Sequence, residues 1–509
     1  MADWVAGFQS LLGFEEILYL SLGIAIGLFV GVLPGIGGTT ALVLLTPFTF
    51  SLEPVQAFAL AAGIMGSTSM GGVVTAILLN TPGQTANAVT CLDGFPLAQQ
   101  GKAGYAIGAA ASSNALGGMI GIISLLAIMP LAGQLVMAFG PPEFFLLAVL
   151  GLVLVATTAR GRMFRALITT AFGLALATVG FSDVTGQERF TFGNEYLWDG
   201  VHLAPALIGL FAVAEMVQLT VKGGSVAKAG APAAITGMFD GLMASIRNWG
   251  TLLRGSVIGT VVGIIPGIGG TVASFLSYGI TVQSAKDPET FGKGNIKGII
   301  ATEAAINAKD GSMLIPTLAF GIPGSAEMAV FMTILVLHGM QPGPLMMMQN
   351  QVEIYGLIWA LTAACVISAA VGIFLARPLA KLTRIDVQLL APVIIAVGFV
   401  GSYAIDLSIE NVLITAIFGV IGYVMIKFDY PRLPLVIAIV LGGIAERNFH
   451  QSMMMSDGDL SMFLGRAVSV VLLVSIALSL LAPNLKPLRR AAAMRRAAGG
   501  ERFKRKIGG

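Results

Sequence analysis

The chain has 509 residues, 56% of them apolar and only 11% charged, with a net charge of +3 and a mean hydropathy of +0.87. Soluble domains carry roughly a quarter charged residues, so an ordinary soluble enzyme is excluded. The charges sit in short clusters between apolar stretches of about 17 to 25 residues, long enough to cross the hydrocarbon core of a bilayer. The 65 glycines suit helices that pack backbone to backbone in lipid. The composition is that of an all-α polytopic membrane protein. Cys91 and Cys365 are too few and too far apart for a disulfide framework or a thiolate metal site.

Met1 to Gln9 holds no Lys or Arg, so no secretory signal is read there and the first apolar helix is expected to insert as its own uncleaved signal. Apolar segments follow near 17–33, 36–50, 55–80, 104–129, 142–159, 163–180 and 202–221. A polar stretch, 222–248, reads as a cytoplasmic linker between a first transmembrane repeat, 1–221, and a second, 249–446. The second half gives segments near 250–265, 268–282, 296–321, 323–340, 353–376, 386–406, 409–427 and 432–446. An additional transmembrane helix is expected within 447–483, and 484–509 is a basic tail with nine Lys or Arg between Lys486 and Lys506 against Glu501. That tail reads as a cytoplasmic, lipid-facing end rather than a nucleic-acid site.

Pro34-Gly35-Ile36-Gly37-Gly38-Thr39 returns unchanged as Pro266-Gly267-Ile268-Gly269-Gly270-Thr271, 232 residues later. Proline removes a backbone donor and clashes with the preceding turn, and the glycines admit positive φ, so a helix breaks at both places. Each break is expected either to separate two crossings or to turn a re-entrant hairpin. Unwound backbone at membrane depth is tolerated only where protein or a wet cavity satisfies it. The helices restarting near Thr39 and Thr271 would offer free N–H groups to a carboxylate; the plainer alternative is a structural kink. A second pair of breaks, Asn80-Thr81-Pro82-Gly83 and Pro323-Gly324-Ser325, carries small polar neighbours. Paired broken helices in internal repeats point to the substrate site of a secondary transporter.

Buried oxygens near these breaks are the coupling-cation candidates: Ser69, Glu303, Asn307, Asp310 and Ser312. Ionisable residues inside a membrane segment face a bundle interior or cavity, although Lys309 beside Asp310 also admits a simple ion pair. Asp93 is either a ligand or a turn former, and Glu215 reads as a boundary residue. His202, His338 and His450 have no metal-ligand spacing, and no hydrolase or metalloprotease motif occurs. The Met346–Met348 and Met453–Met455 runs read as packing.

Lys/Arg asymmetry sets the orientation. Arg160, Arg162 and Arg165 are expected inside; Asp183, Glu188, Glu195 and Asp199, against Arg189 alone, outside; Lys222, Lys228, Arg247 and Arg254 inside. In the second half Lys286, Lys293, Lys297, Arg377, Lys381, Arg384, Lys427 and Arg432 are inside, with Asp406 and Glu410 outside. The N-terminus is then periplasmic and the C-terminus cytoplasmic. Corresponding loops carry opposite character, which is the pattern of inverted-topology repeats.

The chain resembles the large membrane subunit of the tripartite tricarboxylate transporters. The resemblance runs from about Gly23 to Asn484. It is carried by Gly31 to Gly38 and its repeat at Gly263 to Gly270, and by Ala76-Ile-Leu-Leu-Asn-Thr-Pro-Gly83. Leu92-Asp-Gly-Phe-Pro96, Gly321-Ile-Pro-Gly-Ser325 and His338-Gly-Met-Gln-Pro-Gly-Pro344 extend it. The family usually shows an Asn-Asn-Ala-Ala-Gly-Gly-like run where this chain has Asn307-Ala-Lys-Asp-Gly311. A Tyr-Gly-Gly-Ser-Ile-like pattern is usual where it has Thr68-Ser-Met-Gly-Gly-Val73. The resemblance implies a permease of the bacterial inner membrane, without enzymatic activity or a bound cofactor. It would import a di- or tricarboxylate with Na⁺ or H⁺ as coupling ion. Its partners would be a small four-helix membrane subunit and a periplasmic solute-binding protein. A stand-alone carboxylate symporter is the alternative; a channel lacks a ring-forming filter motif here, and an intramembrane enzyme lacks a nucleophile–base pair.

Overall fold

The computed structural model describes residues 2–33, 36–137, 139–158, 162–182, 184–222, 236–382 and 387–480. The first half contains α1 (Ala2–Gln9), α2 (Phe14–Val32), α3 (Gly38–Thr49), α4 (Pro54–Leu79), α5 (Thr90–Gln99), α6 (Ala103–Met137), α7 (Pro141–Thr158) and α8 (Met163–Ala177). A two-stranded hairpin follows, β1 (Gly180–Phe181) antiparallel to β2 (Glu188–Arg189). Then α9 (Leu203–Leu207) continues through a π-helical turn, Ile208–Val213, into α10 (Ala214–Lys222).

The second half contains α11 (Met238–Arg247), α12 (Trp249–Ile264), α13 (Gly269–Ser284), α14 (Ile296–Phe320), α15 (Ala326–Leu337), α16 (Pro344–Gln349), α17 (Gln351–Leu382), α18 (Val387–Asp406), α19 (Ile409–Lys427) and α20 (Arg432–Met455). A last helix, α21 (Ala467–Leu480), completes it. Among the described residues, eight helices are long and apolar enough to cross a membrane. The protein is an all-helical, multi-pass membrane protein.

The apolar pattern explains the layering. On α19, Leu413, Ile417, Val420 and Val424 are exposed on one face, while Thr415, Gly419, Gly422 and Met425 are buried on the other. In water that would be inside out; in lipid the larger apolar side chains face the acyl chains and small residues face the neighbouring helix. Gly209 and Gly422 each approach the partner backbone, at Thr415 O and Leu210 O.

Two long helices, α4 and α14, are buried almost throughout. α4 packs against α2 and α17, and α14 packs against α12 and α6, so each half's long central helix is also clasped by a helix of the other half. Close approach is set by glycine. Gly23, Gly27 and Gly31 lie against Leu60, Ile64 and Thr68 of α4; Gly255, Gly259 and Gly263 lie against Ala301, Ala305 and Lys309 of α14. Both central helices end in a left-handed residue, Asn80 (φ 53°) and Gly321 (φ 67°), which stops the helix without breaking the chain's direction into the turn.

Several elements had no counterpart in the apolar pattern: α1, α5 and α11 are short helices at the ends of longer ones. Gly7 of α1 sits on Tyr355 of α17, and Gly241 of α11 sits on Tyr105 O of α6. Thus Met238–Arg247, within the expected linker, is a packed helix; residues 223–235 of that linker lie outside the described residues. The expected end of the second repeat at 446 falls inside α20, and α21 is fixed to α7 through Glu143. That buried carboxylate accepts from Gly140 N (2.8 Å), Ser469 Oγ (2.5 Å) and Arg466 Nη1 (2.8 Å). The basic tail lies outside the described residues.

Candidate functional site

Both duplicated motifs interrupt a helix. α2 ends at Val32, Leu33 is extended (φ −81°, ψ 109°), and α3 starts at Gly38. Pro34 and Gly35 lie outside the described residues. α12 ends at Ile264, Ile265 is extended, and α13 starts at Gly269. Between them Gly267 and Gly269 take φ of 80° and 72°, a region that costs any other residue roughly 1–2 kcal/mol. Gly267 N donates to Gly324 O at 2.9 Å, so the second Pro-Gly-Ile-Gly-Gly break is bonded to the Pro323-Gly324 turn.

The Pro-Gly turn lies beside the break in each half, more tightly in the first. A side chain on Gly83 would run into Gly31 O and Gly72; one on Gly324 would meet Met313 and, at 3.6 Å, Gly263 O. Asn80 caps α4, and Thr81 donates to Leu79 O at 3.0 Å. Ser325 caps α15 by accepting from Met328 N at 3.3 Å. Across the halves, Thr85 Oγ1 and Thr271 Oγ1 are 2.9 Å apart. Among the described residues, a Cβ on Gly37 or Gly269 would meet nothing within 4 Å, so open space adjoins both positions. Pro82, Pro266, Thr39 and Thr271 are half-buried, and Pro323 is buried.

The polar candidates divide into two foci. In the first, Glu303 on α14 is fully buried and its Oε1 accepts from Thr90 Oγ1 and from Asn87 Nδ2 (3.3 Å). One turn on, Asn307 Nδ2 donates to Asn114 Oδ1, to Ser69 Oγ (3.4 Å) and to Glu303 O (3.2 Å). Among the described residues, no hydrogen-bond partner meets two buried acceptors here, Glu303 Oε2 and Asn87 Oδ1. Buried oxygens without donors are costly, of order 1–3 kcal/mol each, unless a proton or a cation completes them.

In the second focus, Lys309 Nζ pairs with Asp310 Oδ1 and stands 3.8 Å from Glu327 Oε2. Glu327 lies in the first turn of α15, and its Oε1 is 2.7 Å from where a Cβ on Gly38 would sit; Lys309 Nζ is 3.3 Å from the corresponding point on Gly270. The two repeated motifs, far apart in sequence, are therefore joined through one ammonium and one carboxylate. Ser312 stands apart from both foci: its hydroxyl donates to Ala308 O and Lys309 O, each at 3.1 Å, and packs on Gly263.

Sequence reasoning missed Glu327, Asn87, Thr90 and Asn114. Glu327 carried a signal, a lone charge in an apolar helix, and Asn114 a weaker one, at the end of the polar run Ser112-Ser113-Asn114; Asn87 and Thr90 sit in an ordinary-looking turn and carried none. Asp93 proves structural here. It is buried, accepts from Gly294 N (2.9 Å), Asn295 N (2.8 Å) and Tyr278 Oη (2.9 Å), and so ties α5 to the start of α14. Glu215 pairs with Arg432 at 2.9 Å, whose guanidinium also donates to Leu210 O in the π-helical turn.

A family model described as "Tripartite tricarboxylate transporter TctA family" matches residues 17–437. The chain belongs to the tripartite tricarboxylate transporter TctA family. The match spans both duplicated breaks and both polar foci, and ends within α20. An Agrobacterium vitis protein, described as an uncharacterized 52.8 kDa protein in the TAR-I ttuC' 3' region, is 33% identical over 471 residues, 92% of this chain and 93% of the relative. A second A. vitis protein, from the TAR-II ttuC' 3' region, is 31% identical over 239 residues, 45% of this chain and 97% of the relative. No solved structure matches the chain.

Proposed function

We propose that this TctA-family protein is the large permease subunit of a binding-protein-dependent, cation-coupled importer of a di- or tricarboxylate in the bacterial inner membrane. One observation carries the reading: both Pro-Gly-Ile-Gly-Gly breaks meet at the Lys309–Glu327 pair, beside open space. Two helix starts and a buried ammonium suit a carboxylate, because each presents positive potential where water is scarce. The coupling ion is assigned to the Glu303 focus, where Glu303 Oε2 and Asn87 Oδ1 are unpartnered and Ser69 and Asn307 are close by. Na⁺ takes such oxygens as ligands, and H⁺ would take Glu303 itself.

The halves act as inverted-topology repeats in this reading. Support comes from the reciprocal packing of α2 with α4 and α12 with α14, from the two glycine series, and from the matched caps Asn80 and Gly321. The N-terminus and the hairpin loop face the periplasm, where a solute-binding protein would dock; the 222–248 linker and the C-terminus face the cytoplasm. A small four-helix membrane subunit completes the assembly.

Uptake of labelled succinate and citrate into proteoliposomes tests the proposal, with the large subunit alone, with the small subunit, and with a binding protein encoded nearby. Uptake is expected only in the complete assembly and only with an inward Na⁺ or H⁺ gradient. Uptake by the large subunit alone would replace this reading with a stand-alone symporter. Flux that no cation gradient changes would remove the coupling.

A further inference from the structure

The two halves put different chemistry at the same place. The Cβ position of Gly38 lies 3.2 Å from Thr68 Oγ1, and that of Gly270 lies 3.3 Å from Lys309 Nζ. Both side chains come from the long helix that packs on the broken one. The first is a hydroxyl already donating to Ile64 O at 2.7 Å; the second is an ammonium. The start of a helix is the positive end of its peptide dipole. An ammonium beside the first turn of α13 is therefore misplaced unless an anion sits with it.

Two anions do, and they differ. Asp310 is the next residue on the same helix and pairs closely with Lys309. Glu327 comes from another helix, approaches only to 3.8 Å, and has a side chain 17% exposed against 8% for the other two. Its second oxygen lies over Gly38, at the start of α3. Glu327 thus lies between an ammonium and a helix start, as a bound carboxylate would, and it is the loosest member of the trio.

We propose that Lys309 is the ligand for a carboxylate of the substrate, and that Glu327 is its tethered stand-in, displaced when substrate binds. This rests on the transport reading above. While the site is empty, Glu327 is the second carboxylate at Lys309, 3.8 Å away, beside the closer pair with Asp310. When substrate enters, its carboxylate lies toward the second-half break, with the rest of the molecule toward Gly38 and Thr68. The charges then account for coupling. Lys309, Asp310 and Glu327 together carry one net negative charge, and an incoming carboxylate adds another. A buried excess of that kind is costly without an accompanying cation.

The test is calorimetric titration of the full-length protein in nanodiscs with succinate, malate and citrate at fixed Na⁺ and pH. Lys309→Met alone risks misfolding, so the charge-balanced Lys309→Met/Asp310→Asn variant is used beside it. That variant is expected to lose affinity by about tenfold or more, a step of the size a single charge contact commands. Lys309→Arg should retain most binding, and Glu327→Gln should tighten it several-fold by removing the competitor. Wild-type affinity in the charge-balanced variant, or loss of binding in Glu327→Gln, would overturn this inference and leave the transport reading standing. If the wild-type protein binds none of the three acids and the complete assembly transports none, the transport reading fails and this inference with it.

Discussion

Thr85 Oγ1 and Thr271 Oγ1, 186 positions apart in the chain, lie 2.9 Å from each other. This bond joins the first-half turn after α4 to the first turn of α13. It is exposed, so it adds little to stability, and any larger effect of removing it reports on the state of the site.

Thr85→Val and Thr271→Val are each expected to change folding stability by no more than about 1 kcal/mol, yet to lower uptake measurably. The double variant should be no worse than the worse single, because the two hydroxyls act as one contact. Thermal melts and uptake on the same preparations check both statements. Additive losses in uptake would show that the threonines act separately.

The two breaks differ at the Gly37/Gly269 position, and substitution should expose the difference. Gly269 has φ of 72°, whereas Gly37 has φ −84° and ψ 176°, an ordinary extended backbone; neither has a neighbour within 4 Å of a Cβ. Gly269→Ala should therefore cost roughly 1 kcal/mol of stability, while Gly37→Ala should be near neutral in the folded protein. Gly37→Val and Gly269→Val should both lower uptake, since a branched side chain fills the open space beside the breaks. Melting curves separate the first effect from the second. Wild-type uptake in both Val variants would reduce the breaks to spacers.

The breaks were readable because Pro and Gly act locally: the chain cannot continue a helix through them, whatever surrounds it. Apolar length marked the long helices for the same reason, since 18 or more lipid-compatible residues are a one-dimensional property. The junction of the two breaks through Lys309 and Glu327 is not one-dimensional. The sequence offered Asp310 and Glu303 as polar residues in one apolar segment, and only packing of α14 between α6 and α12 sends them to different foci. Ser312 lay in the same polar stretch and turns to its own helix carbonyls instead. The short helices α1 and α11 were hidden because, at eight and ten residues, they are too short to register as membrane spans and are fixed by a glycine contact with a distant helix.

Glu303→Gln should preserve the bonds to Thr90 and Asn87 in shape while removing the charge that an ion or proton would answer. The variant is expected to insert and fold normally, because a neutral amide is less costly to bury than a carboxylate. Its melting temperature should no longer rise with added Na⁺, or with acid if H⁺ is the ion. An unchanged cation response in Glu303→Gln would move the coupling site elsewhere.

Cysteine labelling checks the orientation that loop charges demand. In a background lacking Cys91 and Cys365, Glu188→Cys should react with a membrane-impermeant maleimide added to intact cells from the periplasmic side. Lys228→Cys should react only after the membrane is opened. Glu188 is exposed on β2, so failure to react cannot come from burial. The reverse pattern would invert the topology.

The last prediction separates an ion pair from a ligand at the level of folding. Lys309, Asp310 and Glu327 form a trio in which the ammonium is central: it pairs with Asp310 and stands 3.8 Å from Glu327. Removing a central charge strands two carboxylates, whereas removing Asp310 leaves Lys309 with Glu327. Breaking a buried pair from one side costs about 3–5 kcal/mol, while replacing both partners by neutral groups is often close to neutral. Lys309→Met should therefore be the least stable variant, Lys309→Met/Asp310→Asn, which strands Glu327 alone, intermediate, and Asp310→Asn, which leaves the Lys309–Glu327 pair, the nearest to wild type. Denaturation of each in the same detergent gives the order directly. Lys309→Met as stable as wild type, or a double variant worse than both singles, would show that the trio is not held together by its charges.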